Sequence, residues 1–148
     1  MLKGIPPILN PDLLWLIAAM GHGDELVLVD RNYPALATAK ATLTGRLITL
    51  DGVDTTEAAR AILTLMPLDG FVETPILRME VTGEPATVLP VHADLKAVAD
   101  AAEGRDVAMG SIERLTFYAA ARRGFGVVQT SEARPYGCFI LKKGVVFD

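Results

Sequence analysis

Two groups able to carry a proton frame one short apolar run. His22 lies in Gly21-His22-Gly23-Asp24, and Asp30 directly follows Leu26-Val27-Leu28-Val29. A glycine-flanked histidine loop, a buried strand and a carboxylate at its end are read as bringing an imidazole and an acid to the same rim of a sheet. That is the layout of a catalytic site. The competing reading of His22 is a surface-loop histidine, or a core histidine bonded to a carbonyl; glycines on both sides and an acid one strand away weigh against it.

The surrounding pattern supplies elements to position these groups. Asn10-Pro11-Asp12 reads as an N-cap, a proline at the first helical position and an acid in the first turn. The following residues to Met20 are apolar on most sides, which predicts a helix packed inside the fold. Gly21 then suits the left-handed position that ends many helices, and Gly23 leaves room for a ligand or backbone to approach.

Strands and helices alternate along the rest of the chain. Strands are expected at 46–50, 75–81, 106–112, 125–130 and 138–141. Asp54 with Glu57 forms a capping-box pattern before a helix from Ala58 to Met66 that Pro67 ends, and helices are expected at 88–102 and 113–123. The alternation predicts an α/β fold, a single three-layer α/β/α domain over residues 1–148 with a mixed, Rossmann-like sheet.

Composition narrows the function. The 148 residues are 51% hydrophobic and 22% charged, enough for one core without disulfides or metals. A mean hydropathy of +0.34 in a chain with no spanning segment predicts apolar surface buried between subunits. A net charge of −4 with no basic stripe argues against nucleic acid. Neither a leader nor a membrane span is expected, and the lone Cys138 has no intrachain disulfide partner, so a reducing, cytoplasmic setting is the default. Taken alone, Cys138 reads as a small buried hydrophobe in a strand. Nucleotide-binding glycine turns and metal-ligand spacings are absent, and with His92 on a predicted helix as the only other histidine, neither a metal nor another cofactor is expected.

Several segments together resemble the family of L-fucose mutarotases and D-ribose pyranases. They are Met1-Leu2-Lys3, Pro11 with Leu13-Leu14, Met20 to Glu25, Asp30 with Asn32-Tyr33-Pro34, Arg114 with Phe117-Tyr118, Glu132, and Tyr136-Gly137 followed by Leu141 to Val145. The likeness runs nearly end to end, and the Arg-Leu-Thr-Phe-Tyr segment at 114–118 with the Leu-Lys-Lys-Gly-Val ending is closer to the fucose branch.

The resemblance implies cofactor-free interconversion of the anomers of a free aldose, in ring-shaped oligomers, commonly decamers, with sites where subunits meet. By this analogy His22 is the general acid/base, imidazole being the side chain that exchanges protons near neutral pH. Asp30 would orient it or accept a sugar hydroxyl, Arg114 would bind sugar oxygens, Tyr136 would donate or relay a proton, and Tyr33 would line the pocket. Cys138 stands where the family usually has asparagine, so the substrate-binding position offers a weakly bonding thiol. Arg31 stands where alanine is common, and Arg78 lies in a strand that is more apolar in relatives; both add donors that would suit a different sugar or a sugar acid. A ribose-type pyranase and a non-catalytic monosaccharide-binding protein remain as alternatives.

Overall fold

The computed structural model describes residues 2–147; Met1, the first residue of the resemblance, lies outside them. Eleven elements alternate along the chain: α1 (Pro11–Ala19), β1 (Glu25–Val29), α2 (Ala35–Ala41), β2 (Leu47–Leu50), α3 (Thr55–Ile62), β3 (Ile76–Met79), α4 (Pro90–Glu103), β4 (Met109–Ile112), α5 (Arg114–Ala121), β5 (Gly126–Thr130) and β6 (Phe139–Lys142).

The strands form one sheet in the order β2-β5-β1-β6-β3-β4. β1, β2 and β5 are parallel to one another, β3 is parallel to β4, and β6 runs antiparallel to both neighbours, β1 and β3. All strands but β6 therefore point the same way, and the sheet has one rim of carboxyl ends.

Side chains alternate between two buried faces, as period-two geometry requires. Leu26, Leu28, Phe139 and Leu141 pack with Leu13, Leu16, Ile17, Ile62 and Leu95 from α1, α3 and α4. Val27, Val29, Val127 and Ile140 pack on the other side with Ala35, Ala39, Phe117 and Ala121 from α2 and α5. Helices thus cover both faces of a mixed sheet, the three-layer α/β arrangement the pattern predicts.

Local chemistry accounts for the boundaries. The Asn10 side chain accepts the Leu13 N–H at 2.9 Å and Pro11 opens α1. Asp54 caps α3 by accepting the Glu57 N–H at 2.7 Å, so that helix begins ahead of the expected Ala58 and gives way to turns before Met66. α2 has no counterpart among the expected elements: its alternating alanines carry helix propensity without a hydrophobic period.

Two expectations are corrected around α1. The helix is buried on one face only, and Trp15 stands 44% exposed, with the Arg46 guanidinium stacked 3.8 Å from its ring centre. The left-handed glycine is Gly23, at φ 86°, while α1 ends through Met20 in extended conformation. Gly21 instead opens a tight turn whose third position requires the positive φ.

Gly144 fastens the last strand to the loop after α3, its N–H donating to the Pro67 carbonyl at 2.8 Å. A Cβ there would meet the Leu68 carbonyl oxygen at 2.6 Å, and backbone cannot swing aside as a side chain does. Gly144→Ala is expected to lower stability by about 1–3 kcal/mol, the usual cost of overpacking. Thermal unfolding checks this; a wild-type melting temperature would mean that the 67–69 backbone yields.

Candidate functional site

The amino end of β1 holds His22. Its loop is tied down at four places: Gly21 N–H donates to the Asp24 carboxylate at 2.7 Å, Gly23 N–H donates to Lys143 O at 2.9 Å, and Lys143 Nζ donates to Ile17 O and Met20 O at 2.8 and 2.6 Å. Lys143 thus satisfies the last carbonyls of α1 and fixes the direction in which the chain enters the loop.

The imidazole is half-exposed, with Nε2 3.1 Å from Oδ1 of the buried Asp69. The Phe71 ring lies 5.3 Å away, centre to centre. The Phe71 N–H, which donates to Asp69 Oδ1, and then the His22 contact hold the Asp69 carboxyl below the ordinary aspartate range, so Asp69 faces the imidazole as a carboxylate. The pair can pass a proton between the imidazole and a molecule on its open side.

The other candidates gather on the rim of carboxyl ends. Asp30 follows β1, Arg114 opens α5 after β4, and Tyr136 and Cys138 lead into β6. Asp30 is 6% exposed; its Oδ1 accepts the Asn32 N–H at 2.9 Å and its Oδ2 accepts the Cys138 thiol at 3.4 Å. Burial, then the Asp30 charge, push the Cys138 thiol well above its ordinary range and keep it protonated as that donor. Cys138 therefore supports Asp30 from within the core, and does not present a group to substrate as expected.

Tyr136 is held in an unusual conformation. At φ 59° it is the one non-glycine residue at positive φ among the described residues, an arrangement that costs on the order of 1–2 kcal/mol. Two bonds enforce it: the Thr82 N–H donates to its hydroxyl at 3.2 Å, and His92 Nε2 lies 3.0 Å from its carbonyl. Since His92 Nδ1 accepts the Leu89 N–H, Nε2 carries the proton and donates. Burial lowers the His92 pKa, favouring this neutral form. Bonds from Thr82 and the Arg114 charge hold the Tyr136 phenol below its usual range. Arg114 is half-buried, 5.6 Å from the Tyr118 ring centre.

Tyr33 does not line an open surface as expected. It is 6% exposed, packs edge-on against Phe117 and Tyr118, and accepts the Thr38 hydroxyl at 3.3 Å; burial pushes its phenol up to about 12.

His22 and Asp30 do not share one rim of the sheet as expected. His22 and Asp30 stand at opposite ends of β1, whose five residues at about 3.3 Å each put roughly 17 Å between them. Within one chain, Asp69 holds the imidazole and Asp30 does not. A groove of about 800 Å³ between α3 and α4, lined by Thr56, Arg60, Thr64, Asp94 and apolar residues, includes neither group.

Comparison with known proteins places this arrangement. Residues 3–146 match the RbsD / FucU transport protein family. The chain belongs to that family. It is 40% identical to human fucose mutarotase, with 98% of this chain and 94% of the human protein covered. It is 37% identical to L-fucose mutarotase of Haemophilus influenzae, covering 98% and 97%. The crystal structure of the Streptococcus pneumoniae fucose mutarotase in complex with L-fucose superposes at a TM-score of 0.87 and 36% identity, covering 99% of this chain and all (100%) of that one. Bacillus subtilis RbsD complexed with D-ribose, at 20% identity and a TM-score of 0.70, shares the fold.

Within this member of the RbsD/FucU family, three supporting residues had no assigned duty. Asp69 is distant from His22 in sequence and carries no spacing signal. His92, weighed only as a metal ligand, anchors Tyr136 from a buried position. Glu132 belonged to the resemblance, but its place was not readable: it is buried after β5, accepting the Thr55 hydroxyl at 3.0 Å and the Arg134 Nε–H and Nη2–H at 2.9 Å each. Its Cγ lies 2.8 Å from where a Cβ on Gly137 would sit, so it shapes the turn carrying Tyr136.

Burial alone would raise the Glu132 pKa; the Arg134 side-chain and backbone bonds and the Thr55 hydroxyl overturn it and hold the carboxyl at about 2. A carboxyl depressed on folding stabilises fully above its unfolded value, near 4.5, and loses that contribution as pH falls toward 2. Acid titration of stability should therefore show a loss on the order of 3 kcal/mol across that window. In Glu132→Gln that portion should vanish while stability at neutral pH falls; an unchanged acid limb would mean that Glu132 is not ion-paired.

Proposed function

We propose that this chain is a sugar mutarotase of the fucose type, interconverting the α and β anomers of L-fucose or a closely related aldose without a cofactor. The observation that carries the reading is the half-exposed His22 imidazole backed by the buried Asp69 carboxylate, in a chain that aligns end to end with fucose mutarotases.

Mutarotation needs one proton removed and one supplied. His22 takes the proton from O1 as the C1–O5 bond breaks and C1=O1 forms, and Asp69 stabilises the imidazolium that results. Tyr136 delivers or relays a proton to O5. Rotation about C1–C2 presents the other carbonyl face, and the same transfers in reverse close the ring. Arg114 binds sugar oxygens, and Asp30, fixed by Asn32 and Cys138, accepts a sugar hydroxyl.

Because β1 separates His22 from Asp30 and Tyr136, the site is completed by a second copy of the chain. The exposed Phe71 ring beside His22 lies 6.5 Å from the exposed Phe147 ring, centre to centre, and this apolar pair suits burial against such a copy. We assign a homo-oligomer, a decamer by family analogy, of subunits acting as single domains over residues 1–148 in the cytoplasm. No described helix is long and apolar enough to cross a membrane.

Anomeric exchange of L-fucose measured by NMR magnetisation transfer tests the activity. Wild type should accelerate exchange, and His22→Ala should lose at least about a hundredfold, the lower range for removing a general acid/base. Retained exchange in His22→Ala would remove the assigned role, and no acceleration for fucose, galactose or ribose would favour a binding protein. Light scattering should give a multiple of the 15.8 kDa chain mass; monomer mass at micromolar concentration would contradict the shared site.

A further inference from the structure

Arg78 lies at the third position of β3, between the apolar Leu77 and Met79, yet it is 6% exposed. Its side chain shares the α4 face with Phe139, beside the buried His92. Its Nη1 has no hydrogen-bond partner among the described residues, and none of the ion pairs found includes it. A buried cation with an orphaned donor is costly, and an apolar residue would suit this strand better. What Arg78 gains is one bond: Nη2 donates to the Pro85 carbonyl at 3.1 Å.

Pro85 sits in the loop from Glu80 to Leu89, whose residues 82–86 are all exposed and which folds on itself through Glu84 N–H to Val81 O and Thr87 N–H to Glu84 O. Such a segment has little burial to hold it in place. Its ends are tied by the Glu80 N–H on Ile112 O and the Ser111 hydroxyl on the Glu80 carboxylate, and by the Leu89 N–H on His92 and the His92 and Ala93 N–H groups on Leu89 O; between them, among the described residues, the Arg78 bond to Pro85 and the Thr82 N–H on the Tyr136 hydroxyl join it to the fold. Thr82 is three residues from Pro85, so the position of its N–H follows the anchored carbonyl.

We propose that Arg78 is a positioning residue for the reaction: its bond to Pro85 clamps the 80–89 loop so that the Thr82 N–H holds the Tyr136 hydroxyl at the sugar site. The inference rests on the assignment of Tyr136 to proton transfer. Arg78 is 6% exposed and makes no hydrogen bond to Tyr136 among those found in the described residues, so it acts through the loop and not by contact with substrate. The strained Tyr136 is thereby held at its carbonyl by His92 and at its hydroxyl by a loop that Arg78 tethers.

Arg78→Met removes the bond, the buried charge and the orphaned donor while keeping an unbranched side chain. It should melt no lower than wild type, exchange the Thr82 backbone N–H with deuterium at least about tenfold faster, and lower kcat for L-fucose about tenfold with KM changed less than about twofold. Arg78→Gln, too short to reach Pro85, should show the same changes in deuterium exchange and kcat. Arg78→Lys, which can still reach the carbonyl, should restore protection and kcat most of the way.

A wild-type Thr82 exchange rate in Arg78→Met or Arg78→Gln overturns the clamp whatever the activity. Equal falls in Arg78→Lys and Arg78→Met also overturn it, as does failure of both Met and Gln variants to fold, which would make Arg78 a core residue. If wild type accelerates exchange of no sugar, the mutarotase reading alone fails, and the deuterium measurement still decides the clamp.

Discussion

The direction of the strands is the constraint on which the site depends. Five strands run one way and β6 alone returns, so every loop leaving a parallel strand, and the turn entering β6, opens on the same rim. Asp30, the 80–89 loop, Arg114, Glu132 and Tyr136 come from five different segments and meet there because of that single reversal. It also sends the end of β6, with Lys143 and Gly144, to the opposite rim, where it braces the loops of His22 and Asp69. Open α/β sheets place ligands beyond the carboxyl ends of their strands, and the groups assigned to the sugar obey that rule. The imidazole does not: it lies at the opposite rim, at the amino end of β1.

Burial is used unevenly between the rims. Around Asp30 and Tyr136, polar groups are sunk into the core and matched: the Cys138 thiol on Asp30, neutral His92 on the Tyr136 carbonyl, and Glu132 on Arg134 and Thr55. These bonds fix the orientation of the groups before any ligand arrives, so that a substrate meets a prearranged site. Around His22 the carboxylate is buried but the imidazole is open, leaving the proton-bearing face to be covered by something outside the chain. The thiol at position 138 fits this division, since it faces the second oxygen of Asp30 and not solvent.

Most of the architecture was legible because it follows from local rules. The caps at Asn10 and Asp54 and the apolar runs of β1, β5 and β6 each constrain the chain within a few residues, whereas the left-handed position fell at Gly23 and not at the expected Gly21. α2 escaped because alanines alternating with polar residues carry no hydrophobic period. The site was legible in its residue types and not in its geometry. His22 and Asp30 are neighbours in sequence, but the strand that joins them also holds them apart, a distinction that depends on where loops leave the sheet. Asp69, Thr82 and His92 act through bonds to residues 47, 54 and 44 positions away, and no spacing rule reaches across such intervals.

The central claim is that His22 of one chain works with Tyr136 of another. The most direct measurement mixes two inactive proteins, His22→Ala and Tyr136→Phe, dissociates and reassembles them together, and follows anomeric exchange of L-fucose. Sites that draw His22 from one subunit and Tyr136 from another predict activity well above the sum of the two variants reassembled separately. Activity no greater than that sum, in assemblies shown to contain both chains, would contradict the shared site.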